Sequence, residues 1–264
     1  MDSFLPMLNA IDSFLWGVPL ITLLVGTGIL LTVRLALIQV VHLPRALGLI
    51  LCAKNKGAGD ISSFKALCVA LAATIGTGNI VGVATAVKVG GPGAIFWMWM
   101  AAFFGMATKY AEGLLAVKYR TTDEHGEIAG GPMYYIRHGM GEKYRPLAAF
   151  FAAAAVLVAF FGIGTFPQVN AIVDSVELSF GVPRIATDIA LTVLIAAITI
   201  GGLKSIAEVA ARIIPFMAVL YIVICAGIIL MHVGEIPAAV ALILDSAFTG
   251  TAAAGGFAGS TVMM

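Results

Sequence analysis

Charged residues are scarce in this chain of 264 residues, where they make up 11% of the sequence, against about 25% in soluble domains. Hydrophobic residues make up 61% of the sequence, and the mean hydropathy is +1.04. A composition this poor in charge excludes an ordinary soluble protein. It predicts a membrane protein that has the lipid bilayer as its surroundings and no nucleic-acid partner.

The chain also has few cysteines and no basic N-terminal segment. Cys52, Cys68 and Cys225 are too scattered for a disulfide framework and form no CxxC pair, so we expect packing cysteines, with neither a metal site nor a cofactor. Asp2 and Asp12 stand where a cleavable signal peptide carries basic residues. The first apolar run is therefore interpreted as a membrane span.

Six charge-poor runs are long enough to cross a bilayer, given a rise of about 1.5 Å per helical residue. They cover residues 13–34, 64–88, 94–117, 146–174, 184–203 and 209–233. Together they predict an all-α, polytopic helical bundle that forms a single transmembrane domain over residues 1–264.

The lysines and arginines predict the orientation of these six runs. With the N-terminus outside, thirteen of the fifteen basic residues fall on the inner side, and only Lys88 and Arg184 fall outside. The positive-inside rule favours this arrangement in the plasma (inner) membrane. The second run then passes from the cytoplasm to the exterior.

The second run has an unusual centre, because Gly76-Thr77-Gly78-Asn79 lies midway through the charge-free segment from Ala66 to Val87. Two glycines a residue apart weaken a helix where lipid demands unbroken backbone bonding. In secondary transporters such a break binds anionic substrates and coupling cations. Glycines at this spacing also allow close helix packing, and both interpretations stay open. A dinucleotide loop fits less well, because Gly82 comes one residue late and no βαβ unit surrounds it.

Polar side chains at membrane depth are the other candidates for a functional site. Gln168 and Asn170 are two residues apart, so they point to different faces of a helix and cannot both line one cavity. Lys109 and Glu112 lie three residues apart on one face. Glu112 is either a transport carboxylate or one half of a snorkelling interfacial pair, and we favour the pair.

Four segments resemble the alanine or glycine:cation symporter family: residues 76–86, 90–99, 130–135 and 161–164. The resemblance implies a leucine-transporter-like fold built from two inverted five-helix repeats. The interrupted run is then core helix one, Gln168 lies on core helix three, and residues 13–34 form an added N-terminal helix. Family members are much longer, so we expect this chain to be truncated, an N-terminal portion that supplies the first repeat and lacks a C-terminal half.

The resemblance also implies a function and a set of site residues. Members take up small neutral amino acids such as alanine or glycine with sodium, or sometimes protons, and are not enzymes. The backbone N–H groups of Gly76, Thr77 and Gly78 would hold the substrate carboxylate, and Gln168 would add a hydrogen bond. The oxygens of Asn79 and Thr74 would bind the sodium ion, and Thr77 could add a further hydroxyl oxygen.

Two other functions remain open at this stage. Glycine breaks also occur in the selectivity filters of passive channels. Alternating access needs one repeat to rock against another, so a chain with a single repeat would be an inactive or scaffold fragment unless a second polypeptide completes it.

Overall fold

A computed structural model of the chain describes residues 18–52, 61–124, 126–161 and 165–250, together with residues 6–7, 11, 14–15, 252 and 255. Almost all of these residues are helical. The expected all-α architecture is confirmed, and the only paired strands of the described residues are two-residue segments, Thr121–Thr122 (β1) and Ile128–Ala129 (β2), which are antiparallel.

The described residues form twelve α-helices, which we number in chain order. They are Val18–Arg34 (α1), Ile38–Val41 (α2), Leu43–Cys52 (α3), Ser63–Thr74 (α4), Val81–Gly90 (α5), Gly93–Lys118 (α6), Pro132–Met140 (α7), Arg145–Phe161 (α8), Phe166–Phe180 (α9), Arg184–Thr199 (α10), Gly202–Met231 (α11) and Ile236–Ser246 (α12). Short 3-10 turns occur at Thr77–Asn79, Glu142–Tyr144 and Val233–Glu235.

The second predicted run folds as two helices. Ser62 caps α4 by accepting a hydrogen bond from the backbone N–H of Lys65 at 3.3 Å, as a serine at this position does. The helix ends at Thr74, and α5, together with the turn that precedes it, is inclined to α4 by 59°. At the far end, Gly91 adopts a φ of +72°, a conformation that favours glycine and allows the sharp turn into α6.

Several helices have the length and composition of membrane spans. Within the described residues, Gly202–Met231 qualifies alone, and the bent pair α4 and α5 qualifies as one interrupted span. The stretch Glu142–Phe180 also qualifies, although residues 162–164 within it lie outside the described part of the chain. These helices support a membrane-embedded protein, and the full set of six spans stays a prediction.

Several helix ends differ from the predicted run ends. The run expected to begin at residue 209 is a helix that already begins at Gly202, and Pro215 lies inside it. The run 146–174 is described as α8 and α9, and residues 162–164 of the family motif 161–164 lie outside the described residues.

Close backbone approaches fix the packing of α6 against α1 and α12. A Cβ atom added at Gly28 in α1 would lie 2.9 Å from the Cβ of Phe104 in α6. One added at Gly93, the first residue of α6, would lie 2.3 Å from the carbonyl oxygen of Ser246. The indole N–H of Trp97 donates to the carbonyl of Ala247 at 2.5 Å, beyond the end of α12. Small residues therefore allow α6 to lie against both helices.

Candidate binding site at the helix break

The backbone changes conformation over the six residues between α4 and α5. The N–H of Ile75 donates to the carbonyl of Leu71 at 2.7 Å, which is the spacing of an α-helix. Gly76 is then extended, with φ −146° and ψ −162°. The backbone N–H of Asn79 donates to the carbonyl of Gly76 at 3.1 Å, and this bond closes the 3-10 turn. The helix axis is thus interrupted at the residues that the sequence singled out.

The side chain of Asn79 lies across the break. Its Oδ1 atom accepts a hydrogen bond from the backbone N–H of Gly76 at 3.5 Å, which is long for an N–H···O bond. An amide oxygen has two lone pairs, so Asn79 keeps acceptor capacity. Asn79 and the turn residues Thr77 and Gly78 are half-buried.

The hydroxyl of Thr74 is engaged in its own helix. Its Oγ1 donates to the carbonyl of Ala70 at 2.8 Å, which is a common bond for a threonine inside a helix. The hydroxyl hydrogen is therefore engaged in this hydrogen bond, whereas the lone pairs of the oxygen stay available to bind a cation. The structure places Thr74 at the last residue of α4, immediately before the break.

The amide of Gln168 lies against the break, although 92 positions separate it from Gly76 in the sequence. A Cβ atom added at Gly76 would lie 3.5 Å from Nε2 and 3.8 Å from Oε1 of Gln168. Gln168 is in the first turn of α9, which begins with Phe166 and Pro167 and packs against the 3-10 turn. Its side chain is exposed, so a ligand can reach the amide beside Gly76.

Asn170 points to a different face of α9. Its Oδ1 accepts a hydrogen bond from Arg184 at 2.9 Å. The same guanidinium pairs with Asp174 at 2.5 Å and with Glu177 at 3.4 Å. The structure thus separates the two amides, as their spacing predicted, and only Gln168 is beside Gly76.

A family model described as the sodium:alanine symporter family matches residues 1–264. The chain belongs to this family. The resemblance carried by its sequence motifs is therefore confirmed, and the family is one of transporters, not of enzymes.

Individual relatives agree with this membership. The chain is 58% identical to an uncharacterized transporter of Haemophilus influenzae, over 97% of the chain and 56% of that protein. It is 49% identical to the sodium/alanine symporter AgcS of Methanococcus maripaludis, over 98% of the chain and 58% of that protein. A probable sodium/glutamine symporter, GlnT of Bacillus subtilis, is 37% identical over 96% of the chain and 52% of its own length. The chain spans about half the length of these relatives.

In this sodium:alanine symporter family chain, the structure brings together Gly76, Asn79 and Gln168. Thr77 and Gly78 lie in the turn between them, and Thr74 precedes the break. Within the described residues, no group of three or more His, Cys, Asp or Glu side chains is placed to hold a metal ion. The side-chain oxygens of residues 74–80 themselves are the hydroxyl oxygens of Thr74 and Thr77 and the amide oxygen of Asn79, which are all neutral.

Sequence reasoning missed one contact of the α4 half of the broken helix. Lys65 forms an ion pair with Glu208 of α11. The sequence did show Glu208 and Arg212 at i,i+4 spacing, and they pair at 3.2 Å. The pairing of Glu208 with Lys65 could not be predicted, because 143 positions separate the two residues in the sequence. Lys109 and Glu112 form the predicted pair, at 3.0 Å.

Proposed function

We propose that this chain takes part in sodium-coupled symport of a small neutral amino acid, such as alanine or glycine, and that the substrate and the ion bind at the break between α4 and α5. The observation that carries the proposal is the position of the Gln168 amide 3.5 Å from a Cβ built at Gly76. Family membership and the name of the relative AgcS support the substrate class.

The substrate carboxylate binds to backbone N–H groups of Gly76, Thr77 and Gly78. The 3-10 turn and α5 begin here, and the first N–H groups of a helix carry partial positive charge. Such an end of a helix favours an anion. The exposed amide of Gln168 offers both a donor and an acceptor to a zwitterion beside Gly76.

Sodium binds to neutral oxygens on the other side of the substrate carboxylate. Hard cations prefer oxygen ligands, and Asn79 supplies an amide oxygen while Thr74 and Thr77 supply hydroxyls. The Oδ1 atom of Asn79 accepts the Gly76 N–H at 3.5 Å. When sodium draws this oxygen away, the Gly76 N–H becomes free to bind the carboxylate. The two ligands then strengthen each other's binding, by about 1–3 kcal/mol in typical coupled sites.

The proposal includes the finer features of the family resemblance. The helices from α4 to α11 supply the first repeat of a leucine-transporter-like fold, and α1 precedes it. The N-terminus lies outside the plasma membrane, because this orientation places most basic residues in the cytoplasm. Alternating access then exposes the break to each side in turn.

Uptake by purified protein in liposomes tests the proposal. We expect saturable accumulation of alanine above its outside concentration when a sodium gradient is imposed, and no accumulation with potassium in place of sodium. Alanine that merely equilibrates would indicate a passive channel, since a channel cannot concentrate solute. Absence of both uptake and sodium-dependent binding would indicate a scaffold, and either result would overturn the proposed function.

A further inference from the structure

The two halves of the interrupted helix are anchored to different neighbours. α4 packs along α11, whereas α5 packs against α6. The residues from Ile75 to Ile80 join the two halves, and no continuous α-helical hydrogen bonding crosses them at Gly76. The break is therefore also a boundary between two packed units.

The contact of α4 with α11 has a small buried centre. Cys68 is 1% exposed, and it packs with Ala210 and Ile214, which are 9% and 8% exposed. Ala207, Ala210 and Ile214 are spaced by three and four residues, so they share one face of α11. The partly buried residues around this centre are Val69, Leu71, Ala211 and Met217.

An ion pair joins the same two helices beside this centre. The Nζ of Lys65 donates to Oε2 of Glu208, and the other carboxylate oxygen of Glu208 accepts from Arg212 at 3.2 Å. Lys65 is three residues before Cys68 on α4. The side chains of Lys65 and Glu208 are 36% and 44% exposed. The pair therefore lies at the rim of the buried contact.

The position of α4 depends on such contacts more than that of a long helix does. It has 12 residues, which make a helix of about 18 Å, too short to cross the hydrocarbon core of about 30 Å alone. Because the chain is extended at Gly76, α5 cannot hold α4 in line through helical hydrogen bonds. The contacts with α11 therefore decide where Thr74 and the first residues of the break lie.

We infer that Lys65 and Glu208 are positioning residues of the binding site. By fixing α4 on α11, the pair makes these two helices one unit and leaves the break as the hinge between this unit and that of α5 and α6. The role of the pair in positioning the binding site rests on the proposed function. The existence of the α4–α11 unit does not depend on that function and can be measured separately.

The buried thiol of Cys68 reports whether α4 stays on α11. In the full chain reconstituted in lipid nanodiscs, with Cys52 and Cys225 replaced by serine, we expect slow modification of Cys68 by a water-soluble maleimide. Replacing Lys65→Ala should raise the modification rate about five-fold, as expected when an ion pair at the rim of a contact is lost. Glu208→Gln should have the same effect, and Lys65→Arg should keep the slow rate.

Lys109→Ala is the matched control, because it removes a lysine whose ion pair joins residues of one helix. It should leave the Cys68 rate unchanged. Equal rates in the parent chain, Lys65→Ala and Glu208→Gln would overturn the inference, as would the same increase in Lys109→Ala. A milder variant with the expected increase, Glu208→Gln, keeps the test decisive if Lys65→Ala does not fold.

Alanine binding distinguishes this inference from the proposed function. If the parent chain binds alanine in a sodium-dependent manner, Lys65→Ala should weaken that binding about five-fold, and Lys65→Arg should restore it. Unchanged binding in Lys65→Ala would mean that the pair does not position the site. If the parent chain binds no alanine, the proposed function fails, whereas the Cys68 rates still decide whether the α4–α11 unit exists.

Discussion

α4 and α5 come from one apolar run of sequence, yet different kinds of contact hold them in place. α4 uses side chains of moderate size, such as Cys68 against Ile214, and an ion pair at the rim. α5 buries only small residues, Gly82, Ala86 and Gly90. One apolar run of sequence can therefore contain two halves with different contacts. One half is held by the packing of side chains, and the other by the close approach of backbones at small residues.

The same comparison resolves the two interpretations of the glycines. Gly82 and Gly90 are buried in α5, where small residues allow close packing. Gly76 lies in the break, and the atoms nearest to a methyl group there would be those of the Gln168 amide, at 3.5 to 3.8 Å. At Gly76 the structure therefore agrees with the interpretation as a break, whereas buried glycines are found further along the run, at Gly82 and Gly90.

The largest effect is expected where backbone meets backbone. Gly93→Ala places a Cβ 2.3 Å from the carbonyl oxygen of Ser246, and backbone atoms cannot move aside as a flexible side chain does. We expect a loss of about 3 kcal/mol of stability, at the upper end of the usual cost of overpacking, seen as a lower unfolding temperature in detergent. Gly105→Ala is the control, since within the described residues no atom beyond its own stretch of helix lies within 4 Å of its added Cβ. Equal unfolding temperatures for the two variants would contradict the close approach.

Where α4 packs on α11, stability should depend on the volume of the buried side chains. Ile214→Ala empties part of the buried contact with Cys68 and should lower stability by about 2 kcal/mol or more. Ile213→Ala, at a neighbouring position that is 55% exposed, should change it much less. Thermal unfolding of the two variants in one detergent compares them directly, and similar losses would mean that α11 presents a different face to α4.

Between the two helices, the amide beside Gly76 should control substrate affinity. Gln168→Ala removes a hydrogen bond to a charged ligand and should weaken alanine binding about ten-fold. Asn170→Ala should change the affinity less than about two-fold, because Asn170 is bound to Arg184 and only its stability contribution is lost. Equilibrium binding of labelled alanine measures both, and a reversed order would show that the wrong face of α9 was chosen.

The smallest effect is expected at the break itself. Gly76→Ala adds the same methyl group as Gly93→Ala, but its nearest neighbour is the Gln168 amide at the ordinary contact distance of 3.5 Å. The backbone of Gly76 is extended, a conformation that alanine adopts freely. We expect a stability change within about 0.5 kcal/mol. A loss as large as that of Gly93→Ala would show that the break is closely packed rather than open.

Local features of the fold were predictable from the sequence. The two glycines at Gly76 and Gly78 indicated a possible break in the helix, and the two-residue spacing of Gln168 and Asn170 predicted that they lie on different faces. Each of these depends on neighbouring residues and on backbone geometry. The position of Gln168 beside Gly76 came from the family resemblance, since spacing alone cannot bring together residues 92 positions apart.

Contacts between distant helices were not predictable. In the sequence, Lys65 is one of thirteen basic residues on the predicted inner side, and Glu208 has Arg212 at i,i+4 spacing. Their pairing depends on the approach of α4 to α11, which the buried set of Cys68, Ala210 and Ile214 determines. The approach of Ser246 to Gly93 could likewise not be predicted from the sequence. Gly93 stands in a turn motif, where glycine is common for local reasons, so the residue gave no sign of a contact with a distant helix.

The most direct test of the central claim, that the break binds an amino acid and sodium together, is the sodium dependence of alanine affinity in the parent chain and in Asn79→Leu. In the parent chain we expect saturating sodium to tighten alanine binding about five-fold or more. In Asn79→Leu, sodium should have no effect, whereas Asn170→Leu should keep it. Full sodium dependence in Asn79→Leu would contradict the account.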